Sequence, residues 1–127
     1  MTLYGGYAGF GAPDPNARNV ELYETILSGD LDGNDVPVND PCDLVNEPTR
    51  SENSYHVLTG SGTDATAVLD GFSITAGNAN GPSPSTNGRG VGMYNYLASP
   101  TEQKVTHTAV LFSNPAKKLI LCCKVLL

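Results

Sequence analysis

Six consecutive residues, Asp30-Leu31-Asp32-Gly33-Asn34-Asp35, place acidic and amide side chains at the spacing found in calcium-binding loops. Hard cations such as Ca²⁺ prefer carboxylate and carbonyl oxygens, and a glycine allows the tight turn of such a loop. A complete loop ends in a bidentate acid at about its twelfth position, and here that position is Pro41, followed by Cys42 and Asp43. A solvated acidic insertion is therefore the favoured interpretation. Calcium is the only cofactor that the segment suggests, and the identity of any metal ligand stays open.

Few residues are of a type that supports catalysis. His56 lies at the start of an apolar run and His107 lies near the C-terminal end, and neither has a partner nucleophile in view. Acid–base chemistry would need Asp64 or Asp70 together with Arg89, and their spacing does not force them together. An Asx turn, in which the carboxylate bonds to its own backbone, explains Asp70 well. We therefore assign no catalytic residue and expect a protein that is not an enzyme.

Two further patterns have a functional and a structural interpretation. The segment Gly88-Arg89-Gly90-Val91-Gly92 has the composition of a phosphate-binding loop, but no strand leads into it and no helix follows it. Turn glycines are the better interpretation. The aromatic residues Tyr4, Tyr7 and Phe10 could form a surface on which sugar rings stack, although packing over an open end of the strands is favoured.

Composition indicates one small domain made of strands and turns. The chain has 127 residues, which suffices for one domain with a modest core. Its 14 glycines and nine prolines, together with many Thr, Ser and Asn residues, favour turns and strands over helices. The three cysteines show no Cys-x-x-Cys spacing, so they give no metal-binding motif.

Charge divides the chain at about residue 103. Residues 1–103 hold all 13 acidic residues against three arginines, whereas residues 104–127 hold four lysines and no acid. The acidic body would repel phosphate, so we expect neither nucleic acid nor an anionic membrane as a partner. Because residues 102–127 also lack glycine, we predict that they form an atypical tail that does not belong to the repeat.

The chain shows no secretory signal and no transmembrane segment. Met1 is followed by Thr2-Leu3-Tyr4-Gly5-Gly6, without the basic and apolar regions of a signal peptide. The apolar residues 119–127 are far fewer than the roughly 18 needed to span a bilayer. We therefore expect no membrane span.

Short apolar runs closed by glycine recur along the chain. They are Leu3-Tyr4-Gly5, Ile26-Leu27-Ser28-Gly29, Val57-Leu58-Thr59-Gly60, Val68-Leu69-Asp70-Gly71 and Ile74-Thr75-Ala76-Gly77. Strands this short cannot bury a face alone, so several copies must stack. The interval from Leu3 to Leu27 equals the interval from Leu69 to Met93. We predict that these four residues form one inward column, with Leu27 and Leu69 on adjacent rungs. We also expect residues 30–53 to protrude as an irregular loop.

The corners of this repeat predict a solenoid of strands. Gly29, Gly60, Gly71 and Gly77 end apolar runs, where the backbone must turn sharply and glycine tolerates positive φ. The leucine-rich repeat pattern is absent, and no helical segment returns the chain. A parallel β-helix with three short sides per turn accounts for the residues better.

Four stretches carry a resemblance to a known fold family. They are residues 4–10, 23–30, 54–59 and 68–79, and residues 90–95 look like the start of a further repeat. Residues 3–101 thereby resemble the right-handed parallel β-helix repeat proteins of the pectate-lyase-like superfamily. The resemblance implies rungs over residues 1–101, with an acidic insertion at 30–53, in a fragment of about three to four rungs.

The same resemblance gives an expectation of function. Such proteins occur as large secreted or surface proteins of environmental bacteria, so we expect a secreted or cell-surface location for the parent protein. We predict a non-catalytic scaffold that serves adhesion or glycan binding, with polysaccharide or other surface proteins as partners. The alternative is a fragment of a polysaccharide lyase or glycoside hydrolase of that superfamily.

Overall fold

Nine β-strands form most of the regular structure of the described residues. The computed structural model describes residues 1–39, 41–82, 85–88, 91–111 and 121–126. The strands are β1 Thr2–Tyr4, β2 Ile26–Ser28, β3 Leu58–Ser61, β4 Val68–Asp70, β5 Ser73–Thr75, β6 Met93–Tyr96, β7 Thr101–Gln103, β8 Thr106–Leu111 and β9 Leu121–Leu126. Short 3-10 helices lie at Pro41–Asn46, Pro48–Arg50 and Thr86–Gly88. Within these ranges, no helix is long and apolar enough to cross a membrane. The predicted all-β class is confirmed.

The strands pair almost entirely in parallel. Three sheets have the orders β1-β4-β7, β2-β5-β8-β9 and β3-β6, so each of β1 to β5 pairs with the strand that comes three later in the chain. Among these described strands, only β9 runs opposite to its neighbour, β8. Parallel strands need a crossover connection between them, and here that connection passes through the other two sheets.

The predicted column of apolar residues is wrong. Leu3 pairs with Leu69, Leu27 pairs with Ile74, and Met93 pairs with Leu58, so Leu27 and Leu69 lie in different sheets. Within one sheet, Val68 pairs with Thr101, and within another, Ser73 pairs with Thr106, so both steps between stacked strands have the same length. Paired residues in these strands are thus further apart in the chain than Leu3 and Leu27 are. The predicted interval was too short because it joined apolar side chains that belong to different sheets.

A small core joins the first and second sheets. Leu69 of β4, Ile74 of β5 and Val105 of the β7–β8 corner form a buried cluster, in which Ile74 and Val105 are fully buried. Partly buried side chains of the second and third sheets and of two connections pack against it, namely Leu27, Leu58, Val57 and Phe72. Burying an aliphatic side chain of this size contributes about 1.5–3 kcal/mol, so this cluster is the main apolar contribution of the region.

The turn between the first and second sheets uses a left-handed backbone residue. Gly71 has φ +81° between β4 and β5, and Lys104 has φ +48° between β7 and β8. Because Asp70 pairs with Gln103, the residues that follow them occupy equivalent positions in the β4–β5 and β7–β8 connections. The strand pairing therefore continues past residue 101, into the segment predicted to be an atypical tail. A turn without glycine is made there by lysine.

The other predicted corner glycines are required for a different reason. Gly77 has no positive φ, and a Cβ atom at Gly77 would collide with the carbonyl oxygen of Val91. At Gly29 the corresponding Cβ would lie 2.6 Å from the carbonyl oxygen of Ala76. Of the four glycines that were expected to turn the chain, only Gly71 does so with a positive φ. Close approach of neighbouring backbone explains the choice of glycine at Gly29 and Gly77.

The acidic segment 30–53 returns to the sheets instead of only protruding. Its described residues contain no strand, in agreement with the sequence, but its end is buried. Arg50 and Asn53 are each 6 % exposed. The Nδ2 group of Asn53 donates to the carbonyl of Ala76 at 2.8 Å, and a guanidinium nitrogen of Arg50 donates to the carbonyl of Gly77. The expectation of an irregular protruding loop is therefore wrong for the last residues of this segment.

Candidate functional site

A cleft of about 630 Å³ opens beside the corner between the first and second sheets. We call it the Arg18 cleft, and its lining residues are Arg18, Asn19, Val20, Glu21, Glu24, Thr25, Gly71, Phe72, Ser73, Lys104 and Thr106. Ser73 pairs with Thr106 across β5 and β8, and Thr25 directly precedes β2. The cleft therefore crosses three neighbouring strands of one sheet and presents hydroxyl groups along their stacking direction.

Arg18 is the most connected charged residue of this cleft. Its Nε donates to the carbonyl of Gly5 at 2.9 Å, and its NH2 nitrogen lies 2.9 Å from Asp70 Oδ1. That contact is an ion pair without hydrogen-bond alignment, since Asp70 Oδ1 has no hydrogen-bond donor. The guanidinium carbon also lies 5.2 Å from the ring centre of Tyr4 and 5.9 Å from that of Tyr7. At these distances cation–π attraction holds the two rings beside the cleft.

The aromatic residues for which a sugar-stacking surface was the less favoured interpretation are exposed. Tyr4, Tyr7 and Phe10 are 54 %, 43 % and 108 % exposed, respectively. The favoured alternative, packing over an open end of the strands, is thus wrong for Phe10, whose ring is fully exposed. Tyr4 and Tyr7 pack against Arg18 and keep about half of their surface open to solvent.

A second polar group lies in the acidic segment. Asp30, Asp35 and Glu52, which we call the Asp30 cluster, each offer a carboxylate oxygen, and these oxygens lie within 4.8 Å of one another. The calcium-loop motif in the sequence included Asp30 and Asp35. Glu52 is the third acid of the cluster and lies at the other end of the segment, so it could not be connected to the motif before the return of the segment was known. Asp32, which the motif also contained, is exposed and lies outside the cluster.

The backbone of the loop holds Asp30 in its ionised form. Desolvation acts to raise the pKa of Asp30, but backbone N–H groups of residues 32–35 outweigh it and lower the pKa below its ordinary value. Three of these donors are within hydrogen-bond distance, with Gly33 and Asn34 donating to Oδ1 and Asp35 donating to Oδ2. The loop is therefore folded around the carboxylate of Asp30.

Each of the two histidines has a described partner, and in neither case is that partner a nucleophile. The ring of His56 stacks on that of Tyr94, with centres 4.9 Å apart and planes inclined by 20°. His107 Nε2 lies 2.7 Å from Glu102 Oε2. Neither histidine lines the Arg18 cleft. The pair of Glu102 and His107 could not be predicted from the sequence, because it depends on the turn between β7 and β8.

The candidate acid–base residues have separate partners. Asp64 is exposed and accepts hydrogen bonds from the backbone N–H and the Oγ1 hydroxyl of Thr66. The Thr66 hydroxyl in particular lowers the pKa of Asp64. Asp70 is buried against Arg18, so the predicted Asx turn belongs to Asp64 and not to Asp70. Arg89 and Gly90 lie outside the described residues, and with them the centre of the Gly88–Gly92 pattern.

Arg18, Glu21, Glu24 and Lys104 are the charged cleft residues, and sequence reasoning missed them as a group. The first three lie in the connection between β1 and β2, and Lys104 lies between β7 and β8, so only the fold brings them together and no local motif could reveal them. Comparisons with protein-family models, curated proteins and solved structures found no match to this chain.

Proposed function

We propose that this protein is a non-catalytic scaffold of the right-handed parallel β-helix type that binds glycans at the Arg18 cleft. A location outside the cell or on its surface is part of this proposal. The observation that carries it is the cleft, which combines hydroxyl, amide and charged side chains and whose Arg18 packs against the exposed rings of Tyr4 and Tyr7.

The strand order supports the β-helix part of the proposal. Three parallel sheets are visited in turn, and in the first of them Leu69 of β4 aligns with Leu3 of β1 on one side and with Glu102 of β7 on the other. Crossover connections between parallel strands of one sheet are right-handed in about 98 % of cases, which favours a right-handed coil. Stacked parallel strands of this kind form extended surfaces that can present a binding site.

The chemistry of the cleft supports a sugar ligand. Sugar hydroxyl groups are recognised by side chains that both donate and accept hydrogen bonds, and Asn19, Ser73 and Thr106 are such residues. The Ser73 hydroxyl donates to Glu24 and Asn19 Oδ1 accepts from two backbone N–H groups, so a sugar would use the Asn19 amide N–H groups, the second lone pair of Ser73 and the Thr106 hydroxyl. Two basic and two acidic side chains add charged partners, Arg18 and Lys104 against Glu21 and Glu24. Charged groups form stronger hydrogen bonds than neutral ones.

The aromatic rings supply the apolar part of this recognition. An exposed tyrosine offers a flat apolar face together with a polar hydroxyl, and the contacts with Arg18 fix Tyr4 and Tyr7 next to the cleft. An extended glycan lying across β2, β5 and β8 would reach hydroxyl groups and rings together.

Calorimetric titration tests the proposal with three probes: polygalacturonate oligomers, xylo-oligosaccharides and cello-oligosaccharides. We expect saturable binding of at least one of them, and we expect Tyr7→Ala to raise its Kd by about tenfold. Tyr55→Ala is the matched control, because Tyr55 is 41 % exposed against 43 % for Tyr7, whereas Tyr7 is the one of the two described rings that packs against the cleft residue Arg18.

Three results would contradict the proposal. They are absence of saturable binding for all three probes, equal losses in Tyr7→Ala and Tyr55→Ala, and release of shortened or unsaturated sugar products by the purified chain. The last result would instead establish the alternative, a polysaccharide lyase or hydrolase.

A further inference from the structure

The Asp30 cluster has the oxygen spacing of a cation site. Oxygen ligands of one Ca²⁺ ion lie at about 2.3–2.6 Å from it, so two of them are at most about 5 Å apart. The carboxylate oxygens of Asp30, Asp35 and Glu52 all lie within 4.8 Å of one another. One ion could therefore contact all three carboxylates without a large movement of the backbone.

Unpaired buried oxygens are a second and independent observation. Asp35 Oδ1, Glu52 Oε1 and Asn53 Oδ1 are inaccessible to solvent and have no hydrogen-bond donor. Asn53 is 6 % exposed, and its Nδ2 group donates to Asp35 Oδ2 at 2.8 Å, which places its amide against the cluster. Buried polar atoms nearly always have a partner. A bound cation would supply the missing one for these oxygens.

The local charge matches a divalent ion. The three carboxylates of the Asp30 cluster carry a charge of −3 when ionised, and one guanidinium nitrogen of Arg50 lies 3.4 Å from Asp35 Oδ2. With Arg50 included, the group has a net charge of −2, which one divalent cation neutralises. Ligands that are all oxygen atoms favour a hard cation over zinc or copper.

The surroundings connect this site to the sheets. Asn53 also donates to the carbonyl of Ala76, which directly follows β5, and Asn78 Nδ2 donates to the carbonyl of Arg50 at 2.6 Å. An ion held by Asp30, Asp35 and Glu52 would close the segment 30–53 at its two ends, next to the strand β5.

We propose that Asp30, Asp35 and Glu52, assisted by the amide oxygen of Asn53, bind one Ca²⁺ ion that fastens the segment 30–53 to the sheets. This site is separate from the Arg18 cleft, and its ligands differ from the sequence motif. Asp32 is replaced by the distant Glu52.

The experiment uses the full chain, freed of metal with a chelator and titrated with CaCl₂ by calorimetry, and thermal unfolding is recorded with and without the ion. We expect one site per chain and a Tm raised by about 5 °C in excess Ca²⁺. Glu52→Gln should weaken Ca²⁺ binding by about tenfold or more, since it removes a charged ligand. Asp32→Asn is the matched control, and we expect its Kd to change by less than about twofold, because Asp32 is an exposed acid of the same loop.

Asp35→Asn is the second variant, and it should weaken Ca²⁺ binding to a similar extent. It provides the test if the circular dichroism spectrum shows that Glu52→Gln has disturbed the fold. Three outcomes would overturn the proposal. They are a folded chain without heat of binding or shift of Tm at millimolar CaCl₂, equal losses in Glu52→Gln and Asp32→Asn, and an equal response to MgCl₂. Equal losses would indicate general charge screening by the ion, and an equal response to Mg²⁺ would remove the assignment of calcium.

Discussion

Lys104 occupies in the β7–β8 corner the position that Gly71 occupies in the β4–β5 corner, and both residues have a positive φ. A side chain with a Cβ atom is strained in this region, by about 1–2 kcal/mol per residue. The strain at Lys104 is tolerated because Val105, the next residue, is fully buried in the core.

Replacement of Lys104 by glycine should therefore stabilise the protein. We expect Lys104→Gly to raise the free energy of unfolding by about 1 kcal/mol, because relief of backbone strain exceeds the entropy gained by the unfolded chain. Urea denaturation measures the change. Gln103→Gly is the control, and it should destabilise, since Gln103 is in extended strand β7. A loss of stability in Lys104→Gly would contradict the assignment of strain.

The same variant also removes a charged group from the Arg18 cleft, so weaker glycan binding by a more stable chain would separate binding from folding.

The ion pair of Arg18 and Asp70 should contribute to the free energy of unfolding, because the carboxylate of Asp70 is buried. The side chain of Asp70 is 9 % exposed and that of Arg18 is 26 % exposed, so solvent screens the pair only in part. We expect Arg18→Met to cost about 1–3 kcal/mol, mainly because Asp70 keeps its charge without a partner. The double variant with Asp70→Asn should recover part of this loss in chemical denaturation. Strictly additive losses in the two single variants would show that the pair contributes nothing.

Truncation of Ile74 in β5 should lower the free energy of unfolding strongly. It is fully buried between Leu69 and Val105 in the core cluster, and Ile74→Ala should cost about 2–5 kcal/mol by leaving a cavity. Ile26 in β2 is 55 % exposed, and Ile26→Ala should cost less than about 1 kcal/mol. Thermal and urea unfolding of both variants measure the difference. Similar losses of stability in Ile74→Ala and Ile26→Ala would contradict the assignment of the core to the cluster around Ile74.

The Thr66 hydroxyl should govern the ionisation of Asp64. Its hydrogen bond to the carboxylate lowers the pKa of Asp64, so Thr66→Val should raise that pKa towards its ordinary value. Carboxyl NMR titration of the metal-free chain measures the shift. Asp30 is the control within the same spectrum, since backbone donors hold its pKa low and Thr66 is not among them.

The direction of the pH dependence follows from the same hydrogen bond. The pKa of Asp64 is lower in the folded chain than in the unfolded chain, so its contribution to stability is present above the unfolded pKa and is lost as the pH falls through the folded pKa. Thr66→Val should therefore weaken the acid dependence of unfolding. An unchanged titration of Asp64 would contradict this account.

The sequence revealed where strands form but not which strands pair. The runs ending at Gly5, Gly29, Gly60, Gly71 and Gly77 correspond to β1–β5, because short apolar segments bounded by turn residues favour strands wherever they pack. The partner of Leu27 could not be read in this way. Apolar residues of all three sheets look alike in sequence, and connections of unequal length make the separation of paired residues differ from one pair of strands to the next, as Leu27 with Ile74 and Ile74 with His107 show.

Glycine and motif patterns failed for related reasons. A positive φ at Lys104 leaves no trace in composition, because it follows from the burial of the next residue, Val105, and not from the intrinsic preference of lysine. Likewise, the carboxylate of Glu52 joins Asp30 only because Arg50 and Asn53 bring the segment back to the sheets. The local motif contained two of the three acids of the Asp30 cluster, Asp30 and Asp35, together with Asp32, which lies outside the cluster.

The size of the buried side chains has a thermodynamic consequence. Ile74, Val91 and Val105 are the largest side chains that are fully buried in the described part of the chain, whereas many hydrogen bonds of Arg50, Asn53 and Asn78 are buried as well. Exposure of apolar surface raises the heat capacity on unfolding and exposure of polar surface lowers it. The heat capacity change should thus fall below the usual value of about 12–15 cal/mol/K per residue. The enthalpy of unfolding would then vary little with temperature, and the protein would keep a nearly even stability from the cold to the physiological range.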